Sequence, residues 1–96
     1  MGGNMMGQAP QVQINHPGDM EQRAANVDIP FIGVANDPED GALGGASMVW
    51  TSNISGQVGT GANFNAPLPA GTHTITLKAT DSDGNSASDS LVLYIQ

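Results

Sequence analysis

The sequence predicts an all-β protein, an antiparallel sandwich of about seven short strands. From Gln11 onward, polar and apolar residues alternate with a period of two, which is the signature of strands that bury one face. Turn signals rich in Gly, Pro, Asn and Asp separate these segments about every 8 to 12 residues, as in a sandwich. The 96 residues suffice for one domain with a single core, and no helix is expected.

The predicted domain covers residues 11–96 and follows a short arm. Residues 1–10 are rich in Gly and Met, end at Pro10 and show no periodicity, so we expect a flexible arm or linker there. The arm lacks the basic start and the apolar stretch of a signal peptide, so these residues do not themselves predict export.

Each predicted strand carries inward-facing residues at alternate positions. In chain order these rows are Val12 and Ile14, then Val27, Ile29 and Phe31, then Met48 and Trp50, then His73, Ile75, Leu77 and Ala79, and finally Leu91, Leu93 and Ile95. Pro30 removes a backbone donor within the second strand and so predicts a bulge or an unpaired edge there. The glycines between residues 56 and 61 predict short hairpin pieces, and Phe64 and Leu68 are expected to cap the core.

The charge balance excludes several classes of partner. Nine acids against Arg23 and Lys78 give a net charge of -7 and a pI near 4.1. Nucleic acid and anionic lipid both need clustered Lys and Arg, so neither is expected to bind. No apolar run approaches the roughly 18 residues that span a bilayer, so no membrane insertion is predicted. The absence of cysteine excludes a disulfide.

Two short acidic loops, residues 37–41 and 81–85, hold five of the nine carboxylates. In a Greek-key sandwich these two loops emerge at one end, so the carboxylates are expected to converge. Calcium takes about six to eight oxygen ligands and is the predicted cofactor. The predicted ligands are Asp37, Glu39, Asp40, Asp81 and Asp83. The alternative is ordinary turn chemistry, because Asp and Gly are favoured at turns without any metal.

The residues needed for catalysis are missing, so the protein is expected not to be an enzyme. The sequence has no cysteine, no serine in a nucleophile elbow and no histidine placed beside a candidate nucleophile in a recognisable motif. The acids lie on turns rather than in an apolar pocket that would tune their pKa values. The Gly-x-Gly within residues 56–61 is not followed by a helix, so it predicts a hairpin rather than a phosphate site.

The sequence predicts two side chains to be buried and two to face outward. Trp50 is predicted to be buried in the sandwich, the alternative being a platform on which a sugar stacks. His73 is predicted to be a packed residue with one hydrogen bond. Val92 and Tyr94 fall on the outward face of the last strand, where they form a possible contact surface that Ile32 and Val34 could extend.

Five segments resemble, in order and spacing, bacterial immunoglobulin-like domains of the polycystic-kidney-disease (PKD) and cadherin-like type. These segments are residues 37–41, 49–52, 56–61, 70–77 and 79–84. The resemblance implies an immunoglobulin-like Greek-key β-sandwich in which His73 takes the place of the corner tyrosine. It also implies an extracellular or cell-surface setting, or alternatively a virion, because such domains serve as tandem spacers and adhesion modules.

We therefore expect a non-catalytic, calcium-stabilised structural or adhesion module, a spacer whose partners are neighbouring immunoglobulin-like domains or copies of itself. One alternative is a self-assembling subunit of an extracellular filament or a virion. In that case Met5 and Met6 of the arm would dock on the Val92 and Tyr94 face of a neighbour. Another alternative is a carbohydrate-binding module. Such a module needs a row of exposed aromatic side chains, and the chain has only four aromatic residues.

Overall fold

A computed structural model describes residues 9–38, 41–82 and 84–96, and almost all of its regular structure is β-strand. The described residues contain no α-helix, and a single 3-10 turn spans Gly45–Ser47. The strands are β1 (Gln11–His16), β2 (Glu21–Arg23), β3 (Ile29–Asp37), β4 (Gly41–Ala42), β5 (Met48–Ser52), β6 (Gly56–Thr60), β7 (Asn63–Ala66), β8 (Gly71–Thr80) and β9 (Ser86–Ile95). The described chain has no helix long and apolar enough to cross a membrane.

The strands form two sheets. In the four-stranded sheet, β3 pairs with β1 along one side and with β7 and β4 along the other. The five-stranded sheet has the order β2-β9-β8-β5-β6. Every pairing is antiparallel except that of β2 with β9, which is parallel. The predicted β-sandwich is therefore confirmed, with short extra strands at its margins.

The core lies between the sheets and is built by the predicted alternation. Its buried apolar residues are Ile29, Phe31, Ala35, Met48, Trp50, Leu68, Ile75, Leu77, Ala79, Leu91, Leu93 and Ile95. Trp50 is fully buried and meets Phe31 and Phe64 edge to face, at centroid distances of 5.5 and 5.8 Å. Its Nε1–H donates to the Gly61 carbonyl at 2.8 Å, so the polar end of the indole is satisfied. The core interpretation of Trp50 is thus correct.

Two glycines let the layers approach closely. A Cβ on Gly33 would lie 2.6 Å from Leu77 Cδ2 and 2.9 Å from Trp50 Cζ2, so β3 could not pack on the opposite sheet with a side chain there. A Cβ on Gly59 would lie 2.5 Å from the Phe64 ring. These positions need glycine for space, because interiors are too densely packed to admit an extra methyl group without a shift.

The second strand differs from its prediction at its start. Val27 was expected in the inward row, but its side chain is 57% exposed and β3 begins only at Ile29. The cause is a turn in which Asn26 adopts a left-handed conformation (φ 63°) and its N–H donates to the Leu68 carbonyl. Pro30 behaves as expected, because it faces β7 on one side and lies beyond the end of the β1 pairing on the other.

Strand directions fix where the chain enters and leaves the sandwich. The N–H of Ile14 in β1 donates to Asp89 Oδ2 of β9 at 3.0 Å, and β2 pairs in parallel with a later part of β9. The segment from β1 to β2 therefore runs alongside β9 and in the same direction. Because β1 is antiparallel to β3 and β9 is antiparallel to β8, strands β3 and β8 also share a direction. We call the end where β1 begins and β3 and β8 end the entry pole, and the end where β9 finishes the exit pole.

Candidate functional site

Asp37 and Asp81, the first residues of the two acidic loops, lie at the entry pole, as the strand directions require. Asp37 is the last residue of β3, and Asp81 directly follows β8. Both carboxylates are buried, with only 3% and 6% of the residue surface exposed. Inward-facing positions at strand ends explain this burial, since Asp37 continues the buried alternation of β3 and Asp81 that of β8.

The loop after β8 is held by backbone bonds and by the Asp81 side chain. The N–H of Asp81 donates to the Asn85 carbonyl, and the N–H of Asn85 donates back to Asp81 Oδ1, both at 2.9 Å. Gly84 has φ 89° and donates its N–H to the Asp81 carbonyl at 3.2 Å. This is the turn chemistry that the sequence offered as the alternative to a metal site, and it accounts for Asp81 and Gly84 at these positions.

The predicted calcium ligands are therefore placed only in part. Glu39, Asp40 and Asp83 lie outside the described residues, as do Met5 and Met6 of the arm. Within the described ranges, no three His, Cys, Asp or Glu side chains come close enough together to hold a metal ion. Asp37 and Asp81 share a pole, and the calcium site itself stays a prediction.

A buried polar cluster near the exit pole was not predicted in full. Ser52 is the last residue of β5, and its side chain faces inward. The Ser52 Oγ lies 2.6 Å from Nδ1 of the fully buried His73. His73 Nε2 lies 2.8 Å from the Pro69 carbonyl. Since a carbonyl only accepts, Nε2 carries the proton and Nδ1 accepts from the Ser52 hydroxyl. The same Oγ accepts from the N–H groups of Ile54 and Ser55 at 3.1 and 3.2 Å.

The Ser52 and His73 pair is built for support rather than for catalysis. A nucleophilic serine needs access to a substrate, whereas here both side chains are buried and the Ser52 Oγ already bonds to His73 and to two backbone N–H groups. The cluster instead joins the end of β5, the turn that follows it and the loop before β8. Sequence reasoning gave His73 a single bond and missed Ser52, although a small polar residue at an inward position signals such a partner.

The two candidate contact surfaces lie on opposite faces of the molecule. Val92 and Tyr94 are half-buried on the outer face of the five-stranded sheet, opposite Thr74 and Thr72 of β8. Ile32 and Val34 face outward from the four-stranded sheet, so the suggested combined patch does not exist.

Cavities and an ion pair also lie on the described part of the surface. A cavity of about 340 Å³ is lined by Gln22, Arg23, Ala24 and Gln96, and one of about 210 Å³ by Gln11, Val12, Gln13, Val34 and Asn36. Arg23 pairs with Glu21 beside the first cavity. The Gly18 N–H, which donates to Glu21 Oε1 at 2.9 Å, lowers the pKa of Glu21, and the Arg23 guanidinium lowers it further.

Comparison with known proteins identifies the fold. No protein-family model and no curated protein matches the chain. Among six matching chains of known structure is one from the fibronectin(III)-like modules of Clostridium thermocellum CbhA. It superposes with a TM-score of 0.75 at 18% identity, over 92% of this chain and 47% of that chain. The chain thus spans less than half of that neighbour and has an immunoglobulin-like β-sandwich fold, as predicted.

Proposed function

We propose that this chain is a non-catalytic spacer module of a larger extracellular protein. The observation that carries the proposal is the position of its ends. The chain enters at Gln11 on the entry pole and leaves at Gln96 on the exit pole. Modules of this kind, joined in series, extend end to end, because each begins where the preceding one stops. The partners are then the neighbouring domains, of immunoglobulin-like type.

The way in which the terminal strands are fixed supports a load-bearing role. The parallel pairing of β2 with β9 is flanked by bonds from the Met20 N–H to the Val92 carbonyl (2.7 Å) and from the Gln96 N–H to the Arg23 carbonyl (2.9 Å). The Ala25 N–H also donates to the Gln96 carbonyl at 2.8 Å. When the ends are pulled apart, β2 and β9 slide in opposite directions, so these bonds are loaded together in shear rather than one at a time.

The comparisons support this proposal at the level of fold. The structural neighbour consists of fibronectin(III)-like modules, which supports the fold of a module. The resemblance to PKD and cadherin-like domains favours use in series and outside the cell. The finer PKD and cadherin-like assignment and the adhesive role stay proposals. Burial of Trp50 and Phe31 leaves no row of exposed aromatics in the described chain, which weighs against carbohydrate binding.

Solution scattering from two copies joined in series tests the spacer geometry. Ten-residue strands such as β8 and β9 are about 33 Å long, so each module should add at least that length. We expect the maximum dimension of the pair to be about twice that of one copy. A pair that folds back on itself, with a dimension close to that of a single copy, would contradict the proposal.

We further propose that calcium binds at the entry pole and stabilises the fold. The support is that two buried carboxylates share this pole and that the loops that follow them hold three more acids in sequence. Buried carboxylates need compensating charge or hydrogen bonds, which calcium would supply in part. A ligand at a hundredfold excess over its Kd stabilises by about 2.7 kcal/mol.

Thermal melts with calcium and with a chelator test this second proposal. At about 4 to 8 °C per kcal/mol, the midpoint should rise by about 10 °C or more in calcium. Asp37→Asn and Asp81→Asn should each remove most of that rise. Asp28→Asn, an exposed acid that precedes β3 at the other pole, changes the net charge equally and should keep it. An unchanged midpoint for the native chain at moderate salt rules calcium out and leaves the spacer proposal untouched.

A further inference from the structure

One lateral side of the sandwich, formed by β1, β2 and β9, has charged groups on its strand edges. The N–H of Ile14 points away from β3 and is bound by Asp89 Oδ2 at 3.0 Å. The N–H of Val92 on β9 is bound by Asp19 Oδ1, also at 3.0 Å. These carboxylates occupy donors that a foreign strand would need, and they bring negative charge to the edge. Proteins commonly protect exposed edges in this way.

The opposite lateral side ends at β6, and no described charged side chain binds to the edge of that strand. Residues 41–77 contain no Asp, Glu, Lys or Arg. Within the described residues, β6 forms backbone bonds only with β5, and no side chain binds to its free edge. Gly56, Gln57 and Thr60 are exposed. Lys78 lies across β5 from Thr60, two strands in from the edge. Within the described residues, this edge therefore presents backbone donors and acceptors without a bound partner, and no residue between 41 and 77 brings a charge to it.

We propose that the free edge of β6 pairs with the same edge of a second copy of this chain. Antiparallel pairing about a two-fold axis would join the two five-stranded sheets into one of ten, which is within the usual size of an open sheet. The distribution of acids favours contact at this edge when the partner is a second copy. Each copy carries a net charge of -7, so two copies repel wherever their acids face each other.

The described acids all lie away from β6, which directs the contact to this edge. Asp37 and Asp81 lie at the entry pole and Asp28 at the exit pole, while Asp19, Glu21 and Asp89 lie on the side of β1, β2 and β9. A neutral partner surface is what an acidic protein can offer to its own copy. A basic peptide, by contrast, would be drawn to the poles.

The geometry also sets the strength of the contact. The strand has five residues and a bulge at Val58, where the register with β5 shifts between Trp50 and Thr51. A short, bulged edge forms few bonds and twists strongly. We expect a contact made mainly by this five-residue edge to bury less than the roughly 1,200 Å² of stable complexes, so the dimer should be weak and dependent on concentration.

Analytical ultracentrifugation of the full chain, from about 10 µM to about 1 mM at physiological salt, tests the proposal. A weak dimer with a Kd between about 10 µM and 1 mM dissociates within such a range. The average mass of the native chain should rise toward that of a dimer. Gln57→Glu with Thr60→Glu places two like charges on each edge and should keep the chain monomeric. The control is Gln11→Glu with Gln13→Glu, which adds the same charge on the outer face of the four-stranded sheet. This variant should dimerise like the native chain, because salt screens the interaction between charges that are more than about 8 Å apart.

Hydrogen exchange keeps the test independent of the variants. In the native chain, exchange of amides in residues 56–60 should slow as concentration rises, while that of β1 stays constant. A native chain that remains monomeric throughout the range overturns the proposal. So does a Gln57→Glu and Thr60→Glu variant that is folded and dimerises normally. Loss of the dimer only in the Gln11→Glu and Gln13→Glu variant would move the interface to the other sheet and overturn it as well.

Discussion

Replacing Ser52 by alanine should destabilise the domain more than its size suggests. The hydroxyl is the only described partner of the buried His73 Nδ1, so the substitution leaves that nitrogen unsatisfied, at a cost of about 1 to 3 kcal/mol. The N–H groups of Ile54 and Ser55 also lose a partner, but both residues are exposed and water replaces it. For a domain of this size the melting midpoint should fall by about 4 to 24 °C.

Urea unfolding and thermal melts of matched variants measure this cost. Ser55→Ala removes an exposed hydroxyl from the same turn and should stay within about 0.5 kcal/mol of the native chain. Combining Ser52→Ala with His73→Phe should cost less than the sum of the single changes, because the unsatisfied nitrogen is removed along with its partner. A Ser52→Ala variant as stable as Ser55→Ala would refute the assignment of this cluster as a structural clamp.

Two further perturbations probe the core and the charged edge. Trp50→Ala should lower the free energy of unfolding in urea by about 3 to 5 kcal/mol, because the fully buried indole packs on two rings and donates to Gly61. A variant as stable as the native chain would show that Trp50 is not part of the core. Because the pKa of Glu21 is lowered in the folded state, its contribution to stability is present above about pH 4.3 and declines as pH falls through the folded-state pKa. Glu21→Gln should flatten this part of the stability profile between pH 5 and pH 2, and an unchanged profile would show that Glu21 contributes nothing.

The strands that could be predicted from the sequence are those that bury one face and expose the other. The rows of β5, β8 and β9 were read correctly because each alternates strictly, and a one-residue slip would have exposed the whole row. Val27 misled the prediction because it continues the alternation of β3 backward through a turn. That turn is closed by Asn26 bonding to Leu68, a contact more than forty residues apart that no local pattern reveals.

The remainder depends on contacts between distant segments. β2 and β4 are three and two residues long and carry no apolar alternation, so they exist only because a neighbouring strand pairs with them. Asp19 and Asp89 each bind an edge N–H on another strand, a role that no local pattern in the sequence reveals. The shared pole of Asp37 and Asp81 could be predicted, because it follows from strand order alone, whereas the coordination of an ion by the acidic loops depends on loop conformation.

Single-molecule pulling tests the central claim, that this domain bears load between its two poles. The chain has no cysteine, so handles can be attached at chosen pairs of positions. Ala9→Cys with Gln96→Cys loads β2 and β9 in shear, whereas Ala24→Cys with Gln96→Cys pulls both strands from the exit pole and separates their bonds one after another. We expect a clearly higher unfolding force for the first pair at equal loading rate. Equal forces, or a higher force for the second pair, would contradict it.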